Sequence, residues 1–148
     1  MRYKNNPGNI RYNAAFQGCT GNDNGFCTFQ SLGFGYRAIL VLLTTYYEKY
    51  NLRTIRGIIN RYAPPSENQT ANYISVVSRY SGLDPDQILT KEDLIKIIPA
   101  MARMENSINI TGAEVKALID QANSGAGNIA LSALAVILAL YIGFSLIK

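Results

Sequence analysis

The chain contains no histidine and no tryptophan, and its only cysteines are Cys19 and Cys27. These absences close off much of enzyme chemistry. A Ser-His-Asp triad, a Cys-His pair and a His/Cys zinc site are all out of reach, so no metal and no cofactor is expected, and any catalysis must rest on carboxylates. The first residues, Met-Arg-Tyr-Lys-Asn-Asn-Pro-Gly, hold no apolar stretch, so a cleaved secretory signal is not expected. Cys19 and Cys27 are spaced to close a short loop as a disulfide, and two reduced thiols are the equal alternative.

What the chain does have is one long uncharged run. Residues 129–147 carry no Asp, Glu, Lys or Arg, and about 19 helical residues cover the roughly 30 Å of hydrocarbon in a bilayer. A buried core helix is the alternative, but such helices are usually shorter and keep a polar face, whereas this one is apolar all round. The expected organisation is a soluble domain over 1–123, a flexible hinge at 124–128 and a transmembrane helix over 129–147, with the lipid bilayer as a partner through a single C-terminal pass. The soluble part is long enough for one core and not for two. Its charge is uneven: Met1 to Tyr80 carries nine Lys/Arg against three Asp/Glu, and Ser81 to Asn128 carries four against seven. A basic first half suits anionic wall polymer, lipid headgroups or nucleic acid. Nucleic acid is the least expected, because no basic-aromatic recognition motif stands out.

The patterning predicts an α+β domain that is mainly helical, with one small β-hairpin. The runs Asn9-Ile-Arg-Tyr12 and Gly25-Phe-Cys-Thr-Phe-Gln30 read as its strands, separated by turn formers from Gly18 to Gly25. Asn6-Pro7-Gly8 places Pro and Gly at the centre of a type II turn. From Gly35 to about Tyr50 the apolar spacing is helical through Ile39, Leu42, Leu43 and Tyr46. A shorter helix capped by Thr54 carries Ile55, Ile58, Ile59 and Tyr62 and stops at Pro64-Pro65. Another, capped by Asn68 or a neighbour, carries Tyr73, Val76, Val77 and Tyr80 and ends at Gly82. Thr90-Lys-Glu-Asp93 opens a helix from Lys91 to about Met104 that Pro99 should kink, and Thr111-Gly-Ala-Glu114 opens one with Val115, Leu118, Ile119 and Ala122.

One carboxylate falls on an apolar stripe. Leu94, Ile98 and Met101 step by four and then three residues, and one further step of four reaches Glu105. At a helix C-terminus and on a buried face, both desolvation and the helix dipole disfavour the anion. A carboxyl so placed keeps its proton and serves as a general acid, the group glycoside cleavage requires. The plain alternative is a Glu turned outward at a frayed helix end. Glu67, just before a helix N-terminus, suits a binding or orienting role, with an ordinary capping carboxylate as its plain alternative.

Three stretches together resemble phage and prophage proteins of the lysozyme-like superfamily, including a small family of structural proteins of corticovirus-like, membrane-containing virions. Asn5-Asn-Pro-Gly-Asn-Ile-Arg-Tyr12, with Gly25-Phe-Cys-Thr-Phe29 and Gly35-Tyr-Arg-Ala38, is similar to the segment that lines the sugar cleft of glucosaminidases and lytic transglycosylases. Tyr62-Ala-Pro-Pro-Ser-Glu-Asn-Gln-Thr-Ala-Asn-Tyr73 is similar to a later transglycosylase motif with a cleft tyrosine, although Glu67 and Thr70 are not adjacent here as their counterparts are. Ala102-Arg-Met-Glu-Asn106 resembles the end of the helix that bears the catalytic glutamate. In most relatives that glutamate comes first, so the order found here implies a circular permutation of the lysozyme-like domain. A second departure is Met104, where the phage relatives usually carry His.

The resemblance implies a membrane-anchored, peptidoglycan-cleaving protein of a phage virion, with Glu105 as general acid/base. It also implies that Asn9, Tyr62, Glu67 and Tyr73 contact the glycan strand and that the internal virion membrane is its place. The alternative is a non-catalytic structural protein that links the viral membrane to capsid proteins.

Overall fold

The computed structural model describes residues 1–66 and 69–125. Its architecture is α+β and mainly helical, with a single two-stranded hairpin among the described residues. The elements in chain order are β1 (Cys19–Asp23), β2 (Phe26–Phe29), α1 (Leu32–Lys49), α2 (Ile55–Tyr62), α3 (Thr70–Ser81) and α4 (Leu94–Asn106), followed by helical residues 112–125, here called α5. The expected span 129–147 and most of the expected hinge lie outside the described residues. Ser124 and Gly125, the first two hinge positions, continue α5. Among the described residues no helix is long and apolar enough to cross a membrane.

Of the two runs that alternation picks out, Gly25 to Gln30 supplies β2, but Asn9 to Tyr12 is not its partner strand. Asn24 and Gly25 both adopt positive φ, 50° and 88°, the two-residue Asn-Gly turn whose twist matches that of paired strands. That turn pairs Asp23 with Phe26 and Asn22 with Cys27, so residues expected to form a loop become β1. Asn9 to Tyr12 contributes only an isolated bridge from Arg11 to Phe26. Between Cys19 and Gly21 the register slips by one residue. Cys19 and Cys27 are free thiols, with their sulfurs 2.9 Å apart. Burial, reinforced by the hydrogen bond with Cys19, pushes the Cys27 thiol up to about 11, which leaves it protonated and unreactive at neutral pH.

Capping explains the helix starts. The Thr54 hydroxyl accepts from the Gly57 amide at 3.0 Å, and Thr111 and Glu114 form a reciprocal capping box at 2.8 and 3.2 Å. Thr90 and Asp93 make the same reciprocal bonds. Residues 91–93 nevertheless form turns, and α4 begins at Leu94, one turn later than expected. The N-cap position of α3 is Gln69, with no side-chain cap, while Asn68 lies outside the described residues. Gly82 closes α3 in the left-handed conformation at φ 71°. Tyr80, expected on the buried stripe of α3, is 52% exposed; Ile74 takes the inward position instead.

α4 is the central helix and packs against both α1 and α3. Leu94, Ile97, Ile98, Ala100, Met101 and Ala102 are all buried, so apolar residues surround most of its circumference. Pro99 lies within it and the helix continues past. From the other side, Ile55, Ile58 and Ile59 of α2, Val77 of α3 and Val115 of α5 complete one core.

The N-terminal segment is tied to this core by Asn6, which is fully buried. Its amide donates to the Ile10 and Cys27 carbonyls at 3.0 and 2.8 Å, and its oxygen accepts from the Ile10 amide at 2.7 Å. A buried Asn with every polar atom paired fixes one geometry, since losing it removes the partner of the Ile10 amide and of the Cys27 carbonyl, while the Ile10 carbonyl keeps the Cys27 amide at 2.9 Å. Replacing Asn6 with Ala should destabilise the fold by about 2–4 kcal/mol, measured by urea denaturation. A loss under about 0.5 kcal/mol would show that the turn is held some other way.

Candidate functional site

The stripe that predicts Glu105 on a buried face corresponds to a continuous apolar side of α4, on which Leu94, Ile98 and Met101 are fully buried. Glu105 sits one turn beyond Met101 and is half-buried. Ser107 ends the helix in the left-handed conformation, and its amide turns back to the Arg103 carbonyl at 2.9 Å. Glu105 is therefore held in a fixed last turn and not at a frayed end.

Facing it is the N-terminal turn. Asn6, Pro7 and Gly8 are buried, and the Asn9 amide bonds back to the Asn6 carbonyl at 3.4 Å. The turn expected there exists, but it is not type II. The positive φ belongs to Asn9, at 47°, and not to Gly8. Gly8 is needed for space: a Cβ there would lie 2.8 Å from the Ile39 side chain and 2.9 Å from the Tyr62 hydroxyl. Asn5 also has positive φ, 54°, and its carbonyl rests against α1 where a Cβ on Gly35 would come within 2.0 Å. The left-handed Asn9 turns its side chain onto the end of α4.

Both carboxylate oxygens of Glu105 receive a donor. Asn9 Nδ2 donates to Oε2 at 2.8 Å, and the Tyr73 hydroxyl donates to Oε1 at 3.0 Å. Tyr62 stands edge-on to Tyr73, with ring centroids 6.3 Å apart, and its own hydroxyl donates to the Gly8 carbonyl. Four of the residues singled out from the sequence, Glu105, Asn9, Tyr73 and Tyr62, are thus brought together from segments about a hundred residues apart. The fifth, Glu67, lies outside the described residues.

Asn106 is a member of this constellation that sequence reasoning gave no role. Its amide donates to the Pro7 carbonyl at 3.0 Å and to Asn9 Oδ1 at 3.2 Å, and its oxygen accepts from the Arg2 amide at 2.8 Å. By occupying Asn9 Oδ1, it fixes which end of the Asn9 amide faces the carboxylate. The signal available was its adjacency to Glu105 at a helix end, where an amide can reach backbone carbonyls of another segment.

Burial pushes the Glu105 carboxyl above the ordinary carboxylate range, while the hydrogen bonds from Asn9 and Tyr73 act in the opposite direction and only partly offset it. The negative end of the α4 dipole adds to the burial effect. Tyr73 and Tyr62 are raised well above the usual tyrosine value, chiefly by burial; for Tyr73 the neighbouring Tyr62 and then Glu105 add to it, and for Tyr62 Glu105 does. Both phenols therefore remain neutral donors. The arrangement is one acid able to give and retake a proton, oriented by an amide and a phenol. Among the described residues, no cluster of three His, Cys, Asp or Glu side chains could hold a metal ion.

Fold and site together define a small, mainly helical α+β protein with a half-buried, hydrogen-bonded carboxylate at the end of its central helix. No protein-family model matches the chain. It is homologous to Protein P5 of Pseudoalteromonas phage PM2, with 42% identity over 87 residues, 59% of this chain and 54% of that protein. The chain thus spans about half the length of this curated relative.

A carboxyl whose folded pKa is raised contributes stability that is complete below the unfolded value, about 4.3, and is lost as pH rises through the folded value. Glu105→Gln is neutral at every pH, so the melting temperature of the wild type relative to this variant should fall between pH 4 and pH 7. A difference that stays constant, or grows with pH, would contradict a raised pKa.

Proposed function

We propose that the chain is a peptidoglycan-cleaving protein of a phage virion, held to the viral membrane by residues 129–147, with Glu105 as its general acid/base. The observation that carries this reading is the half-buried Glu105, pushed toward its protonated form and oriented by Asn9 and Tyr73. Similarity to a phage protein supports the phage setting. Glu105 would protonate the glycosidic oxygen as the C1–O bond breaks. The sugar's own 6-hydroxyl would then attack C1 and return its proton to the carboxylate, so a lytic transglycosylase needs no second carboxylate. Asn9 and Tyr73 orient the acid, and Tyr62, with Glu67, would lie along the glycan strand. The proximity of Glu105 to Asn9 and Tyr73 also favours a lysozyme-like domain in permuted order, since the catalytic helix and the cleft segment meet despite their reversed sequence.

A second reading is a structural protein linking the viral membrane to capsid proteins, with catalysis lost. Met104 in place of the usual His, and the engagement of both Glu105 oxygens by protein donors, favour it.

The two readings separate on purified peptidoglycan treated with the full chain in detergent micelles. The enzyme reading expects clearing by the wild type and a loss of about 10²- to 10⁴-fold in Glu105→Gln. Equal clearing by both would exclude Glu105 as the acid, and no clearing by folded wild type would leave the structural reading. The anchor is tested by vesicle flotation. The full chain should float with liposomes after an alkaline wash and a chain ended at Asn128 should not; a full chain left in the soluble fraction would remove the membrane span.

A further inference from the structure

The tyrosines beside Glu105 do not stop at Tyr62. Tyr46, near the end of α1, lies close enough to Tyr62 to disfavour its ionisation. Beyond it, Tyr50 stands edge-on to Tyr46 at 6.4 Å. Arg61, the neighbour of Tyr62 in α2, lays its guanidinium over the Tyr50 ring with Cζ 3.8 Å from the centroid, and 5.2 Å from the centroid of Tyr46. Lys49 Nζ is 5.7 Å from the same Tyr50 ring, and Arg53 lies over Tyr47 at 5.1 Å. An aromatic strip therefore runs from the carboxylate to a cationic corner.

Among the described residues none of these three cations is in an ion pair: the pairs are Arg56 with Asp86, Lys91 with Glu48, Lys96 with Asp93 and Lys116 with Asp120. Glu48, which shares α1 with Lys49, is thus already committed elsewhere. Arg61 is exposed, and Tyr50 is 43% exposed. Arg61 also hydrogen-bonds the Tyr46 hydroxyl, and a guanidinium held by a ring and one such bond keeps further N–H groups to present to a carboxylate. Holding Arg61 in place beforehand lowers the entropy cost of using it.

Building on the glycan reading above, we propose that Arg61, backed by Tyr46 and Tyr50 and flanked by Lys49 and Arg53, is a subsite for carboxylate-bearing substituents of the glycan, the peptide stems of peptidoglycan. The strip carries the sugar backbone away from Glu105, and Arg61 grips the acidic stem that projects from it. The site then prefers stem-bearing glycan over neutral amino-sugar oligomers, and that preference weakens with salt because Arg61 is exposed.

The test measures binding of two labelled ligands, a stem-bearing peptidoglycan oligomer and a neutral N-acetylglucosamine oligomer, to the full chain in micelles. Wild type and Glu105→Gln are compared, each with and without Arg61→Ala, and Arg61→Lys serves as the conservative variant. Arg61→Ala should weaken the stem-bearing oligomer about tenfold, the loss of one charge-assisted fork, and change the neutral one less than twofold. Arg61→Lys should fall between. Equal effects on both ligands, or none, would overturn the subsite while leaving the role of Glu105 intact. Binding of neither ligand by wild type would overturn the glycan reading and this inference together. If Arg61→Ala instead abolished binding to a DNA duplex or to anionic vesicles and spared the stem-bearing oligomer, the corner would belong to another partner and the proposal would fail.

Discussion

The contact between the Asn9 amide and the Glu105 carboxylate, at 2.8 Å, joins the N-terminal turn to the end of the central helix. On one side lies a turn whose shape is set by buried Asn6 and by left-handed Asn5 and Asn9. On the other is the last turn of a helix whose preceding residues are sealed in the core. A hydrogen bond to a charged group is worth about 1.5–3 kcal/mol, but here it opposes the desolvation of the same group. The balance leaves Glu105 raised and oriented rather than firmly ionised. Asn106 beside it makes the contact specific, because its bond to Asn9 Oδ1 at 3.2 Å fixes the direction of the Asn9 amide.

The rest of the fold can be read as what this contact requires. α4 must be apolar nearly all round to lie between α1 and α3, and its left-handed end at Ser107 satisfies the last carbonyls without extending the helix past Glu105. The hairpin carries the Cys27 carbonyl that receives the Asn6 amide at 2.8 Å, so a two-stranded sheet too small to stand alone is stabilised by packing on the helices and in turn supports the N-terminal turn. Thr70, through its hydroxyl on the Ala63 carbonyl at 2.6 Å, joins the start of α3 to the end of α2 and so sets Tyr73 beside Tyr62.

Much of this was legible in the residues. The three- and four-residue spacing of Leu94, Ile98 and Met101 pointed to Glu105 because burial follows helical period, and the caps at Thr54 and Thr111 are local chemistry that needs no tertiary context. In the hairpin two local signals compete, and only the second strand follows the alternation. Gly21, Asn22 and Asp23 look like a loop, yet the Asn24-Gly25 turn outranks them and recruits them into β1. Tyr80 followed the stripe of α3 in sequence but ended exposed, since α4 covers the Tyr73, Ile74 and Val77 side. Asn106 and Asn6 escaped notice for a different reason. Both bond mainly to backbone atoms of distant or turned segments, and neither periodicity nor composition reports such partners. Asn9 and Tyr73 lie too far from Glu105 in sequence for periodicity to join them; only the resemblance of separate stretches does so.

The decisive quantity is the protonation of one side chain in the intact fold. Carbon-13 NMR of the labelled Glu105 carboxyl, titrated from pH 3 to pH 9 with Glu105→Gln identifying the resonance, measures it directly. The expected midpoint lies above that of a free glutamate, about 4.3, and rises further when Asn9 is replaced with Ala, because a donor to the anion is lost. A midpoint at or below the free value, unmoved by that replacement, would show that water and not the interior surrounds the carboxylate, and the proposed acid would be lost.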